Sequence, residues 1–86
     1  MEKFIILNES DKKYISADIL YAELNSVSSK VTIYYKDSTA VLSQSLTGTA
    51  ADAAAINDAV AAVWAQGYTE ATIGPIKLSS AVTTIS

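Results

Sequence analysis

Residues Thr49 to Gly67 read TAADAAAINDAVAAVWAQG, the only segment of the chain whose apolar side chains recur at helical spacing. The segment also carries signals for both ends of a helix. The Thr49 hydroxyl can cap the first turn, with Asp52 three residues later as in a capping box, and Gly67 can take the left-handed conformation that often ends a helix. The sequence therefore predicts one helix here.

An apolar stripe along this helix predicts that the helix lies on a sheet. The stripe follows the i, i+4, i+7, i+8 pattern and consists of Ile56, Val60, Val63 and Trp64. We expect Trp64 to pack in the core, which is the default for a residue on such a stripe. Exposure at a partner surface is the alternative, because tryptophan is enriched at interface hot spots.

Four segments before the helix have the composition and bounding turns of strands: KFIILN, YISADILYAELN, KVTIYYK and TAVLSQSL. Alternation is clearest in the third, where Val31, Ile33 and Tyr35 share one face. The turn between the third and fourth segments predicts a hairpin. The first segment is apolar on both faces, so we expect a strand with a neighbour on each side.

The segment after the helix, EATIGPIKLSSAVTTIS, is also rich in β-forming residues. Gly74-Pro75 interrupts it, and because proline lacks an amide donor, we expect a bulge or a strand followed by an edge extension. The predicted element order is β-β-β-β-α-β. This order is typical of a single α+β domain spanning residues 1–86, with an antiparallel sheet of about five strands and one helix packed on one face.

Apolar residues on the sheet face away from the helix predict an interface. One helix can cover one face, so the other face of a monomer should be polar. We expect self-association through that face, with Leu20, Leu24 and Tyr34 in the contact. The faces are assigned from alternation, and a shift of one residue in register would exchange them. Alternation assigns to the uncovered face Leu20, Ala22, Leu24, Tyr34 and Val41.

Composition excludes several classes of function. The 86 residues include no cysteine and no histidine, so disulfides, thiolate metal sites and the usual base of a nucleophilic triad are missing. The net charge of −3 and the scattered lysines argue against a nucleic-acid partner. No apolar run approaches the roughly 20 residues that span a bilayer. We therefore expect a soluble protein with no membrane partner and no export signal.

Acidic residues give only weak candidates for chemistry. Asp37 is expected to form a turn, and Asp52 is expected to favour the positive end of the helix dipole. Glu9 and Asp11 could both face a cation, but the surrounding NESDKK lacks the spacing and the glycine of a calcium loop, and its lysines would repel the metal. No glycine-rich phosphate loop is present. We predict no catalytic residue, no metal ligand and no cofactor.

The segments ILYAEL, VTIYY and INDAVAAVW give the chain a resemblance to small uncharacterised proteins of tailed marine phages, in particular the cyanophage myovirus group. The similar order of strands, helix and tail extends over nearly the whole chain. The resemblance implies a viral origin, a structural or accessory role in the particle, and a location in the virion or the host cytoplasm. It carries no catalytic motif and no functional residues.

The resulting hypothesis is a non-enzymatic structural or accessory protein, virion-associated under the phage resemblance, that forms a homo-oligomer through a sheet face. The alternative is a protein-binding module or host-directed effector. In that case an exposed sheet edge, such as the Pro75-bearing tail, would pair with a strand of another viral or host protein.

Overall fold

One helix packs against antiparallel and mixed sheets in an α+β fold, as predicted. The computed structural model describes residues 2–8, 13–67 and 70–86. Glu9 and Asp11, the two acidic residues that could face a cation, lie outside the described residues, as do the connecting residues Tyr68 and Thr69. Within the described ranges the elements are, in order, β1 Glu2–Ile6, β2 Tyr14–Ser16, β3 Tyr21–Asn25, β4 Lys30–Tyr34, β5 Thr39–Gln44, α1 Ala50–Ala65, β6 Glu70–Ile73 and β7 Val82–Ile85.

The described strands form two sheets, where the sequence predicted one sheet of about five strands. The first sheet has the order β2-β1-β6, with β1 antiparallel to β2 and parallel to β6. The second is antiparallel with the order β3-β4-β5-β7. β1 is the central strand of its sheet, and β4 and β5 form the predicted hairpin. The tail beyond α1 supplies one strand to each sheet, because the Gly74-Pro75 break separates β6 from β7.

The start of α1 is formed as predicted. Thr49 is the N-cap residue, with an extended backbone (φ −128°, ψ 164°). Its hydroxyl accepts a hydrogen bond from the Asp52 N–H at 3.3 Å, and the Asp52 carboxylate accepts one from the Thr49 N–H at 3.1 Å. The capping box therefore satisfies two donors that the first turn leaves without intrahelical partners.

The end of α1 differs from the prediction. Gly67 is not in the left-handed region, and the C-cap residue Gln66 has an extended backbone (φ −72°, ψ 137°). The terminal carbonyls are instead bound by Lys3 of β1, whose Nζ donates to the Val63 oxygen at 3.1 Å and to the Gln66 oxygen at 3.2 Å. A cation at this position also complements the negative end of the helix dipole.

The core lies where α1 meets both sheets, since the helix packs against β1 and β6 of the first sheet and β3 and β4 of the second. Trp64 was predicted to be in this core and is 40% exposed. At about 100° per residue Trp64 lies roughly 80° around the helix from Ile56, whereas Val63 remains nearly in line with it. The largest fully buried side chains are Ile5, Ile33, Leu42, Ile56, Val31, Val63 and Val82.

Candidate interaction surface

The four-stranded sheet has an outer face that points away from α1 and is not covered by it. The pairing register of the strands shows which residues lie on this face. Tyr21 lies opposite Tyr34, and Ala22 lies opposite Ile33. Because successive side chains of a strand point to opposite faces, the two tyrosines share one face and Ala22 shares the other with the fully buried Ile33. We call the uncovered surface the tyrosine face; it is formed by Tyr21, Glu23, Thr32, Tyr34, Thr39 and Val41.

The predicted assignment of faces is wrong for Ala22 and Leu24 of β3. Ala22 is 5% exposed, and Leu24 lies opposite the buried Val31 and packs against the core. Tyr34 lies on the uncovered face as predicted. Alternation within one strand does not show how that strand is aligned with its neighbour. A shift of one residue in register therefore exchanges the two faces of the sheet. The three residues predicted for the interface therefore do not share a face.

A stacked aromatic pair occupies one corner of the tyrosine face. The ring centroids of Tyr21 and Tyr34 are 4.6 Å apart, with 20° between the ring planes. Leu20 is 66% exposed, and its backbone N–H donates to the Tyr34 carbonyl at 2.9 Å, which places its backbone beside the pair. Aromatic side chains combine a large apolar area with a polar end and are enriched in protein interfaces. This corner is therefore the part of the face best suited to a partner.

The rest of the tyrosine face is more polar than the sequence pattern suggested. Next to the tyrosine pair are Thr39 on β5 and, in the following row, Glu23, Thr32 and Val41. Threonine side chains suit an exposed strand and also tolerate contact with another sheet. The apolar side chains of this surface are therefore the tyrosine pair and Val41, and the exposed Leu20 is adjacent to Tyr21 in the chain.

Asp52 is the centre of a polar cluster at the start of α1. Its carboxylate accepts hydrogen bonds from the Ser79 N–H at 2.8 Å, from the Ser79 hydroxyl at 2.6 Å and from Gln44 Nε2 at 3.2 Å. Burial raises the pKa of Asp52, but these hydrogen bonds and the one from Thr49 outweigh it and hold the pKa below its usual value. The ionised carboxylate is occupied by donors, so its role is to tie the tail to the helix.

A surface groove of about 310 Å³ brings two carboxylates near a tyrosine. Asp18 and Asp37 both line it, and both are exposed. Burial, together with the charge of Asp18, raises the pKa of Tyr35 above its usual value. The Tyr35 hydroxyl donates to the Ser16 carbonyl at 3.2 Å. Tyr35 therefore stays protonated and acts as a hydrogen-bond donor to the neighbouring sheet.

Two further kinds of feature are not found among the residues that the structure describes. Within residues 2–8, 13–67 and 70–86, no three acidic side chains come together in a group that could hold a metal ion. The same part of the chain contains no helix that is both long enough and apolar enough to cross a membrane. Comparison of the chain with protein-family models, with curated proteins and with solved structures finds no match.

Proposed function

We propose that the protein is a non-enzymatic structural or accessory protein that forms a homo-oligomer through the tyrosine face. The observation that supports this most directly is the stacked pair of Tyr21 and Tyr34, at 4.6 Å, next to the exposed Leu20. Burial of these side chains against a second copy would remove apolar area from water and leave the tyrosine hydroxyls free to hydrogen-bond. The phage resemblance extends the proposal to a component of the virion or of the host cytoplasm.

The size of the tyrosine face implies a weak association. The three strands β3, β4 and β5 lie about 4.8 Å apart and each contribute about five residues at about 3.3 Å per residue, which gives a face of roughly 240 Å². Stable complexes bury about 800 Å² on each partner. We therefore expect association at high micromolar concentration unless further surfaces contribute to the contact.

Sedimentation velocity over a range of concentrations tests the proposal. Tyr34→Glu removes one ring of the stacked pair and places an unpaired charge in the proposed contact, so this variant should associate more weakly than the wild type. Tyr14→Glu is the matched control. Tyr14 is 61% exposed and contacts Phe4 in the other sheet, so its variant carries the same charge and should associate like the wild type.

Two results would overturn the proposal. One is a wild-type protein that stays monomeric at high micromolar concentration. The other is an equal loss of association in Tyr34→Glu and Tyr14→Glu, because a uniform effect of charge would then explain the result. Circular dichroism should show that both variants retain the wild-type fold.

The second candidate function is a module that binds a different protein at a sheet edge. The observation that favours it is the exposed edge of β6, where Thr72 is accessible to solvent. An extended segment of another protein could add a strand there through main-chain hydrogen bonds. A protein that is monomeric by sedimentation and binds one purified viral or host partner through β6 would favour this candidate over self-association.

A further inference from the structure

A side chain closes the edge of the four-stranded sheet at β3. Unpaired N–H and C=O groups on an edge strand are a template for pairing with another chain. At Ala22 both groups are taken by Asn57 of α1: the Ala22 N–H donates to Asn57 Oδ1 at 2.8 Å, and Asn57 Nδ2 donates to the Ala22 carbonyl at 3.0 Å. The side-chain amide thus occupies the place that a neighbouring strand would take.

The same arrangement occurs on β7. Asn8 Nδ2 donates to the Val82 carbonyl at 2.6 Å, and the Val82 N–H donates to Asn8 Oδ1 at 2.8 Å. In the other sheet, the edge strand β2 has its Ser16 carbonyl occupied by the Tyr35 hydroxyl. Three of the four edge strands among the described residues therefore carry a side chain that blocks pairing at one residue.

The remaining edge strand is β6, and the bonding of β1 fixes the direction of its backbone groups. The Lys3 carbonyl of β1 accepts a hydrogen bond from the Ala17 N–H at 2.7 Å, so the backbone N–H and C=O of Lys3 point toward β2. Because these directions alternate along a strand, Phe4 directs its N–H and C=O toward β6.

The backbone N–H and C=O of Thr72 in β6 therefore point away from β1. Phe4 is in register with Thr72, and in a parallel ladder a residue bonds to the two neighbours of the residue opposite it, here Ala71 and Ile73. Thr72 is left with its N–H and C=O on the open side of β6, and it is exposed. Within the part of the chain that the structure describes, no group hydrogen-bonds to them.

We propose that β6 pairs with β6 of a second copy of this chain, antiparallel and centred on Thr72. In this register the two Thr72 residues exchange both main-chain hydrogen bonds, and threonine opposite threonine is a favourable cross-strand pair. Glu70 then lies opposite Gly74 of the second copy, so no like charges meet. The two three-stranded sheets become one sheet of six strands. This contact is separate from the tyrosine face and adds a second surface for self-association.

A charge exchange at position 72 tests the pairing. Thr72→Lys and Thr72→Glu each place like charges directly opposite one another, and each should weaken self-association severalfold. An equimolar mixture of the two variants pairs lysine with glutamate and should restore association. Thr72→Val keeps the backbone groups and the β-branched shape, so it should associate like the parent. All proteins carry Tyr34→Glu as well, so that contact through the tyrosine face is removed.

Sedimentation equilibrium gives the dissociation constants. The proposal is overturned if the Tyr34→Glu parent is monomeric up to about 1 mM, the concentration that corresponds to roughly 4 kcal/mol of association free energy. It is also overturned if the two charged variants associate like the parent, or if their mixture associates no better than either variant alone. If the proposed association through the tyrosine face is wrong, the wild type and Tyr34→Glu should instead have the same dissociation constant.

A single engineered cysteine gives an independent readout, because the chain contains no cysteine of its own. Directly paired residues of antiparallel strands have Cα atoms about 5.5 Å apart, a separation that a disulfide spans. Thr72→Cys should therefore form a disulfide-linked dimer on mild oxidation, faster than Ala61→Cys on the exposed side of α1. Equal rates for the two variants would contradict the pairing.

Discussion

Several polar side chains are buried in this small protein, and each connects segments that are far apart in the chain. Lys3 is 4% exposed, Asn8 5% and Asp52 3%. A buried polar group destabilises the fold unless it is hydrogen-bonded. All three have at least two partners, and most of these partners are backbone groups at the end of a helix or at the edge of a strand.

Asp52 should make stability fall at acidic pH. Its pKa in the folded state lies below the ordinary value of 3.8, so folding favours the ionised form. The stabilisation that ionised Asp52 provides is then complete at pH values above its pKa in the unfolded chain. It is lost as the pH falls through its pKa in the folded protein. We expect the free energy of unfolding, measured by urea denaturation, to fall below about pH 4 with a steeper slope in the wild type than in Asp52→Asn.

At neutral pH, Asp52→Asn should lower the free energy of unfolding by about 1–2 kcal/mol, because the amide cannot accept all the hydrogen bonds of the carboxylate. Asp58→Asn is the control, since Asp58 lies on the exposed side of the same helix. Identical pH profiles for the wild type and Asp52→Asn would show that the Asp52 hydrogen bonds do not favour the ionised form.

At the scale of the elements, the two ends of α1 are stabilised in different ways. The first turn is capped by residues adjacent in sequence, Thr49 and Asp52. The last turn depends on Lys3, which is 60 residues from Val63 in the chain. The Lys3 Nζ also lies 4.8 Å from the centroid of the Trp64 ring, in the geometry of a cation–π contact. The start of the helix was therefore predictable from local sequence, and its end was not.

Lys3→Met should destabilise the protein by about 1–3 kcal/mol, because methionine fills a similar volume but leaves the Val63 and Gln66 carbonyls without their donor. Urea denaturation gives the free energy, and the emission of Trp64, the single tryptophan, reports on the lost contact. Lys77→Met removes an exposed lysine and should have little effect. Equal effects of the two variants would show that the hydrogen bonds of Lys3 contribute nothing to stability.

At the scale of the whole molecule, two sheets and one helix share a single core, and Asn8 connects the sheets. Asn8 follows β1 in the first sheet and hydrogen-bonds to Val82 in the second, 74 residues away. Val82 is 1% exposed, so its backbone would lie in a largely apolar environment without these bonds. The connection therefore affects both the stability of the fold and the closure of the β7 edge.

Asn8→Ala should lower the free energy of unfolding by about 1–3 kcal/mol, because it leaves both backbone groups of Val82 without partners. Hydrogen exchange should show faster exchange of the Val82 amide. Asn57→Ala is the matched control: it removes the equivalent pair of hydrogen bonds at Ala22 and should speed exchange there while leaving Val82 protected. Faster exchange at Val82 in both variants would indicate general destabilisation.

The sequence by itself determined the helix, its capped start, the strands around it and the α+β class, because these depend on residues within a few positions of one another. Periodicity and capping are local properties of the chain. Alternation also identified Tyr34 as an outward residue. It placed Ala22 and Leu24 wrongly, since only the pairing of Tyr21 with Tyr34 sets the relation between the two strands.

Only the tertiary structure decided the division into two sheets, the parallel pairing of β1 with β6, the capping of α1 by Lys3 and the closure of strand edges by Asn8 and Asn57. Each of these joins residues that lie far apart in the chain. The free energy of such contacts depends on the assembled core and on which buried groups find partners there. Local sequence patterns do not show which distant groups become partners in the core.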